Sequence, residues 1–330
     1  MPKQFVFLTY LNRSGSTLLA KKLNAYIDIA VSIEAILLNY DKIDNFSINS
    51  EVELDKALNE LFNHTDKKFI KWEIEKNTLK EKYLSEGLPI KLGTFLTTIF
   101  DIYFQNNPAK VHFYKYGHMF KYVERIWKEF PESKLIFIER DPRAIFNSQK
   151  VSLDSRSGKP MENDIIKFVR NYKIQQETIS RLKNNKHFFL LTFEEMITDE
   201  ERTLNGVIDF VGASKVKTES NDYFNRIPDQ QKHLHQNLKS TENKSDRMHA
   251  WKNELSKADI IFMQKVLIKE LSSKGYSIER FNNLNYAEKL EVLSLRVKFF
   301  FFHSFKYFLL NNLKFIHNFI VFFKNIGKNT

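Results

Sequence analysis

The sequence contains no cysteine. This excludes disulfides, thiolate nucleophiles and cysteine-ligated metal, and it fits a reducing compartment. Glycine and proline are sparse, 9 and 7 in 330 residues, so few segments read as linkers and no fixed-period repeat marks a solenoid. No secretory leader is expected, because the short apolar run at 5–11 breaks at Asn12-Arg13-Ser14-Gly15 without a small-residue cleavage site and reads as a strand. Acidic residues are missing after Arg296, where lysines recur among aromatics.

What is present is a basic, aromatic chain: a net charge of +11, 31 phenylalanines and 42% hydrophobic residues, enough for a sizeable core in one large unit with an appendage. The charge implies an anionic partner: a nucleic acid, a phosphate-rich cofactor, an acidic sugar or a membrane surface. No recognised nucleic-acid motif occurs, so nucleic acid is not expected as a partner.

Read in order, 5–10 is a β-prone run, and 16–26 follows with Leu18, Leu19, Leu23 and Tyr26 at helical spacing. Residues 12–16 must therefore turn a strand into a helix. Helices are expected at 52–62, 92–104, 119–130, 163–182, 199–211 and 256–271, and strands at 69–72, 111–115, 134–139 and 187–192. The strand at 134–139 ends in Arg140-Asp141-Pro142-Arg143, where Asp141 can cap a helix and Pro142 occupies its first position. Alternating strands and helices imply an α/β fold with a parallel sheet flanked by helices. The polar stretch 217–249 reads as a loop near a ligand.

Two of these turns carry chemistry. At the first, backbone amides and the helix dipole favour an anion, Gly15 permits close approach, Arg13 adds a forked positive charge, and Ser14, Ser16 and Thr17 add hydroxyls. The spacing and lysine of a Walker loop are missing, which disfavours a nucleoside triphosphate with magnesium. Alone, the pentapeptide is equally compatible with an ordinary turn. At the second, Arg140 stands at the end of a strand and Ser148 on the helix that follows, both able to face the crevice at the carboxyl edge of a sheet. Arg143 reads equally as a surface residue.

The run Phe-Leu-Thr-Tyr-Leu-Asn-Arg-Ser-Gly-Ser-Thr-Leu-Leu resembles the 5'-phosphosulfate loop of PAPS-dependent sulfotransferases, with Asn12 in place of the usual proline. Leu-Ile-Phe-Ile-Glu-Arg-Asp-Pro-Arg-Ala-Ile-Phe-Asn-Ser resembles their 3'-phosphate motif, which implies that Arg140 and Ser148 hold the 3'-phosphate of 3'-phosphoadenosine-5'-phosphosulfate (PAPS). Weaker likenesses are Phe193-Glu194-Glu195-Met196 to a structural Tyr-Glu-Asp-Leu segment, and Trp251-Lys252 with Lys274-Gly275-Tyr276 to the C-terminal signature. The resemblance implies a P-loop-like sulfotransferase fold, PAPS as donor, PAP as product and no metal. Its nearest branch is the bacterial carbohydrate and tyrosylprotein type.

Sulfuryl transfer needs an in-line acceptor, a base for its proton and positive charge near the leaving phosphate. Arg13 suits the last task. Glu34, at the carboxyl end of an expected second strand, is the first choice of base, and the resemblance to carbohydrate and tyrosylprotein enzymes agrees; pairing with a surface lysine is the bland alternative. A histidine base, His112 or His118, is the competing choice. Tyr114-Lys115-Tyr116-Gly117 falls where the family carries a lysine that reaches the sulfuryl group, so Lys115 joins the candidates. Arg247 and Lys252 bracket Trp251 and are candidates to close over the cofactor.

The domain reading is 1–281 for the catalytic unit and 282–330 for a helical tail. On a helix Lys298, Lys306, Lys314 and Lys324 fall within one arc, with Phe301, Phe305, Phe308, Phe319 and Phe323 opposite. That pattern suits the interface of an anionic membrane. A spanning helix is less favourable, since Lys314 at its centre costs about 2.5 to 3.5 kcal/mol. The expected location is cytoplasmic, peripheral on the inner face of a membrane through the tail, with a glycan precursor or a small molecule as acceptor. No oligomeric state is assigned. The competing functions are a P-loop-like small-molecule kinase and a non-catalytic anion- or membrane-binding protein.

Overall fold

A computed structural model describes residues 4–37, 40–64, 68–105, 107, 109–117, 119–154, 157–218, 223–227, 232 and 246–301. The strands are β1 (Gln4–Tyr10), β2 (Ile29–Val31), β3 (Ser47–Ile48), β4 (Ile90–Lys91), β5 (Val111–Lys115), β6 (Lys134–Glu139) and β7 (Phe188–Thr192). Five of them make one sheet in the order β2-β5-β1-β6-β7, every neighbour parallel. β3 and β4 form a separate antiparallel ribbon.

Val6, Phe7 and Leu8 are consecutive and all buried, as are Leu135 to Ile138. Such unbroken apolar runs are what strands need when helices cover both faces of a parallel sheet. The helices are α1 (Ser16–Leu23), α2 (Glu51–Phe62), α3 (Lys76–Glu86), α4 (Leu92–Tyr103), α5 (Val123–Glu129), α6 (Pro142–Val151), α7 (Ile165–Leu182), α8 (Phe193–Thr198), α9 (Glu200–Val211), α10 (Tyr223–Arg226) and α11 (Asp246–His249). A core of Leu8, Leu19, Leu23, Val31, Ile138, Val207 and Ile208 binds α1 and α9 to the sheet. The register pairs Leu8 with Lys115 and Tyr10 with Ile138. The carboxyl ends of β1, β5 and β6 thus share one edge, from which α1 and α6 depart.

The chain divides into two compact units, Met1–Asn163 with Asn171–Trp251, and Asp164–Arg170 with Lys252–Thr330. The boundary read at 281 falls within the second. There α12 (Lys257–Val266), α13 (Ile268–Ser273) and α14 (Tyr286–Phe300) follow in order. Ser256 caps α12 and an Asn285–Glu288 capping box starts α14. Val292 of α14 is buried with Ala258 and Ile261 of α12, Phe281 and Leu284 pack against them, and Lys257 pairs with Glu288 at 3.3 Å. The start of the tail therefore packs on a helix of its own unit. Lys306, Lys314, Lys324 and their facing phenylalanines lie outside the described residues. No helix among the described residues is long and apolar enough to cross a membrane.

The parallel α/β architecture agrees with the sequence reading, but some elements differ. Residues 69–72 form a 3-10 helix rather than a strand. Phe69 and Trp72 are buried while Ile70 is exposed, a spacing of three that a 3-10 turn satisfies and a strand cannot. The helix expected at 119–130 begins as a 3-10 turn, Met119–Tyr122, before α5. The helix expected at 256–271 breaks at Leu267 into α12 and α13.

Candidate active site

The loop from β1 to α1 is held in an uncommon backbone conformation. Arg13 has φ 74° and Gly15 φ 88°. A left-handed arginine costs on the order of 1 kcal/mol and tends to mark a functional turn. At Gly15 any side chain is excluded twice, by the positive φ and by the Phe193 ring, which a Cβ would strike. Ser14 braces the loop: its amide and its hydroxyl both donate to the Leu11 carbonyl, at 3.2 and 2.7 Å. Ser16 and Thr17 open α1, whose first-turn amides have no partner within the helix. Gln149 donates to the Asn12 carbonyl at 2.8 Å, so α6 supports the loop where a proline would have stiffened it.

α6 starts as the sequence reading requires, with Asp141 accepting from the Arg143 amide and Pro142 at the first position. Arg143 is fully buried, paired with Asp141 at 2.7 Å and stacked on Trp251 at 3.9 Å, which removes it from the surface and makes it part of the scaffold. Arg140 and Ser148 face the first loop. Arg13 Nε donates to Ser148 Oγ at 3.0 Å, and Arg140 donates to the carbonyls of Arg13 at 3.2 Å and Arg247 at 2.7 Å. Arg140 also stacks on Phe193 at 4.3 Å. Both turns and the start of α11 thus converge on one point. Burial, then the neighbouring charges of Arg140 and Arg247, push the Arg13 guanidinium down to about 10. Cations crowded in this way stabilise one another only through a shared anion.

A second cluster lies at the ends of β2 and β5. Glu34 accepts ion pairs from Lys68 at 3.4 Å and Lys115 at 3.5 Å. Burial raises its carboxyl, but Lys68, Lys115 and the nearby Tyr10 hydroxyl outweigh that and bring it to about 2. Lys115, almost fully buried, is pushed down by burial, against Glu34, and sits 4.9 Å over the Tyr10 ring.

The backbone around Glu34 is clamped by aromatic side chains. Tyr223 donates to the Ser32 carbonyl at 3.2 Å, Trp72 to the Ile33 carbonyl at 3.3 Å, and Tyr114 to the Ala35 carbonyl at 2.8 Å; the Ile33 amide donates to Tyr103 at 3.4 Å. β2 ends at Val31, so Glu34 gains its rigidity from this cage and not from a strand.

His112 stacks on Phe104 inside the core at the start of β5, the end opposite Lys115. His118 lies outside the described residues. Lys252 belongs to the second unit and pairs with Glu279 at 2.6 Å. Sequence reasoning missed Lys68, Tyr10, Phe193 as a prop of the loop, and the four clamping aromatics. For Tyr10 a signal existed, since strand alternation places it with Val6 and Leu8 at the carboxyl end of β1; the others sit in segments without a motif. No group of acidic residues or histidines among the described residues is arranged to hold a metal ion.

The model of the Sulfotransferase family matches residues 6–217, so the chain belongs to that family and is a sulfotransferase. Among solved structures it is similar to the sulfotransferase domain of the Synechococcus PCC 7002 olefin synthase, at 14% identity and a TM-score of 0.57, over 84% of this chain and 97% of that one. That likeness shows the shared fold. It also matches the sulfotransferase domain of the curacin biosynthetic pathway, at 15% identity, TM-score 0.49 and coverage of 84% and 99%. A mouse sulfotransferase complexed with PAP matches at 12% identity, TM-score 0.43 and coverage of 84% and 90%. No curated protein matches it in sequence.

Proposed function

We propose that this sulfotransferase uses PAPS as donor and a hydroxyl of a carbohydrate or glycan precursor as acceptor. The observation that carries the donor assignment is the convergence of Arg13, Arg140 and Ser148 at the carboxyl edge of the sheet, 3.0 and 3.2 Å apart through their hydrogen bonds. Arg140 and Ser148 are the residues that the family motif assigns to a 3'-phosphate, and Arg13 with the start of α1 suits the 5'-phosphosulfate. A phosphate at each end would relieve the mutual repulsion of Arg13, Arg140 and Arg247.

In the proposed step the acceptor oxygen bonds to sulfur as the bond from sulfur to the 5'-phosphate oxygen breaks. The electron pair stays on the phosphate of PAP, where Arg13 stabilises it, and the hydroxyl proton passes to Glu34. At about 2, Glu34 is ionised but a poor base while two lysines hold it. A sulfuryl group arriving beside Lys115 competes for that ammonium, and Glu34 gains basicity as Lys115 turns away. Charge neutralisation by lysine and arginine then does the work that a metal does in phosphoryl transfer. The carboxylate base, which resembles that of carbohydrate and tyrosylprotein enzymes, supports the glycan acceptor.

Calorimetric titration with PAP, AMP and ATP with magnesium tests the donor. PAP binding at least tenfold tighter than AMP is the expected result; equal affinity for PAP and AMP, or preference for magnesium ATP, would overturn it. Sulfate transfer from labelled PAPS to a panel of oligosaccharides, phenols and peptides tests the acceptor, and turnover confined to phenols or peptides would remove the glycan assignment.

A further inference from the structure

Tyr10 closes β1 and is 2% exposed, and its hydroxyl makes no close hydrogen bond of good geometry among the described residues, although the Glu34 carboxylate and the Ser16 hydroxyl lie within its reach. A buried donor left unsatisfied is costly and calls for an explanation. The hydroxyl is not in an apolar void. It interacts with the Glu34 carboxylate and with the Ser16 hydroxyl of the anion loop, and Lys115 Nζ lies 4.9 Å over the ring. Room for the ring is built into the fold, because a Cβ at Gly117 would come within 3.1 Å of its edge. Burial and the adjacent carboxylate raise the phenol well above its ordinary range, so it stays protonated and can only donate toward Glu34.

The geometry points to Tyr10 as the positioning residue of the base: its hydroxyl takes hold of the Glu34 carboxylate when Lys115 turns to the sulfuryl group. The two lysines hold the carboxylate at 3.4 and 3.5 Å and the phenol stands beside it. Once Lys115 leaves, Glu34 would keep Lys68 alone and be free to rotate toward it. A hydrogen bond from Tyr10, rooted in the central strand of the sheet, fixes the second oxygen toward the acceptor hydroxyl. This inference rests on the reading of Glu34 as base and PAPS as donor.

Tyr10→Phe removes the hydroxyl and keeps the ring. The ring still fills its place and the two lysines still pair with Glu34, so the protein should stay folded with its melting temperature lowered by at most a few degrees, and PAP affinity by calorimetry should stay within about twofold. The rate is read as release of PAP from PAPS with water as acceptor. The expected result is a fall in kcat of about 10- to 100-fold with KM for PAPS unchanged, the range of one hydrogen bond to a charged group. In a Glu34→Gln background the same change should have no further effect, since Tyr10 acts through the carboxylate. A kcat within twofold of wild type, or an undiminished fall in the Glu34→Gln background, would overturn the role of Tyr10 and leave the donor reading standing. A wild type that neither binds PAP nor releases it from PAPS would end both.

Discussion

Replacing Arg140 with alanine tests the site most directly, because this guanidinium joins the two turns. It is 7% exposed, stacked on Phe193, and has two donors on the carbonyls of Arg13 and Arg247 at 3.2 and 2.7 Å. In the proposed complex it meets the 3'-phosphate in a buried setting. One strong charge-assisted hydrogen bond or two weak ones, within about 1.5 to 3 kcal/mol each, both give a loss near 3 kcal/mol, taken as about 2 to 4 kcal/mol. That corresponds to about 30- to 700-fold in the dissociation constant of PAP. AMP lacks the 3'-phosphate and should change by less than about threefold. Arg140→Lys keeps the charge but not the planar fork, and should fall between wild type and alanine. Titration calorimetry of PAP and AMP on the three proteins, with melting curves to confirm folding, measures these differences. An equal loss for PAP and AMP in Arg140→Ala would show that Arg140 merely holds the loop, and would refute the 3'-phosphate assignment.

Two further outcomes follow from the buried charges. Glu34→Gln should lower turnover at least about 100-fold, the lower end of general-base effects, while leaving PAP affinity within about threefold. It should also flatten the acid side of the stability profile. The folded carboxyl at about 2 lies below its ordinary 4.5, so its stabilisation is present above pH 4.5 and is lost as the pH falls toward 2. Wild type therefore loses about 2 kcal/mol more than Glu34→Gln between pH 7 and pH 3, which urea melts at the two values would reveal. Arg143→Ala strands Asp141 in the interior and strips a cation from the face of Trp251, a loss of about 3 to 5 kcal/mol in unfolding free energy. Where enough protein remains folded, its preference for PAP over AMP should persist, because Arg143 serves the scaffold.

How far the sequence exposes this fold depends on whether order is written locally. β1, β6 and the helices after them announce themselves through consecutive apolar residues, a proline at a helix start and a capping aspartate, all within a dozen positions. Residues 69–72 mislead, because three β-prone letters in four do not reveal that Trp72 must reach the Ile33 carbonyl 39 residues away. Tertiary partners choose the backbone there, and propensity yields. β3 and β4 are two residues each, Ile48 pairing with Ile90 and Ser47 with Lys91, too short for any periodic pattern to register.

The site divides along the same line. Its proposed anion-binding half consists of backbone turns with glycine, arginine and hydroxyl residues at fixed offsets, so Arg13, Gly15, Arg140 and Ser148 can be found one motif at a time, and the fold has only to bring 13 and 148 within 3.0 Å. The base half has no such grammar. Glu34 is legible only by its distance from the loop; what makes it usable is a cage drawn from Trp72, Tyr103, Tyr114 and Tyr223, and two lysines that hold it ionised. Each of those residues is unremarkable in its own segment and acquires a task only through the parallel sheet. A fixed phosphate chemistry can be encoded in short turns because the ligand's anions are the same each time. A base must be aimed at an acceptor that differs from enzyme to enzyme, so its support is assembled from long-range contacts, and that is the half where Tyr10 stayed hidden.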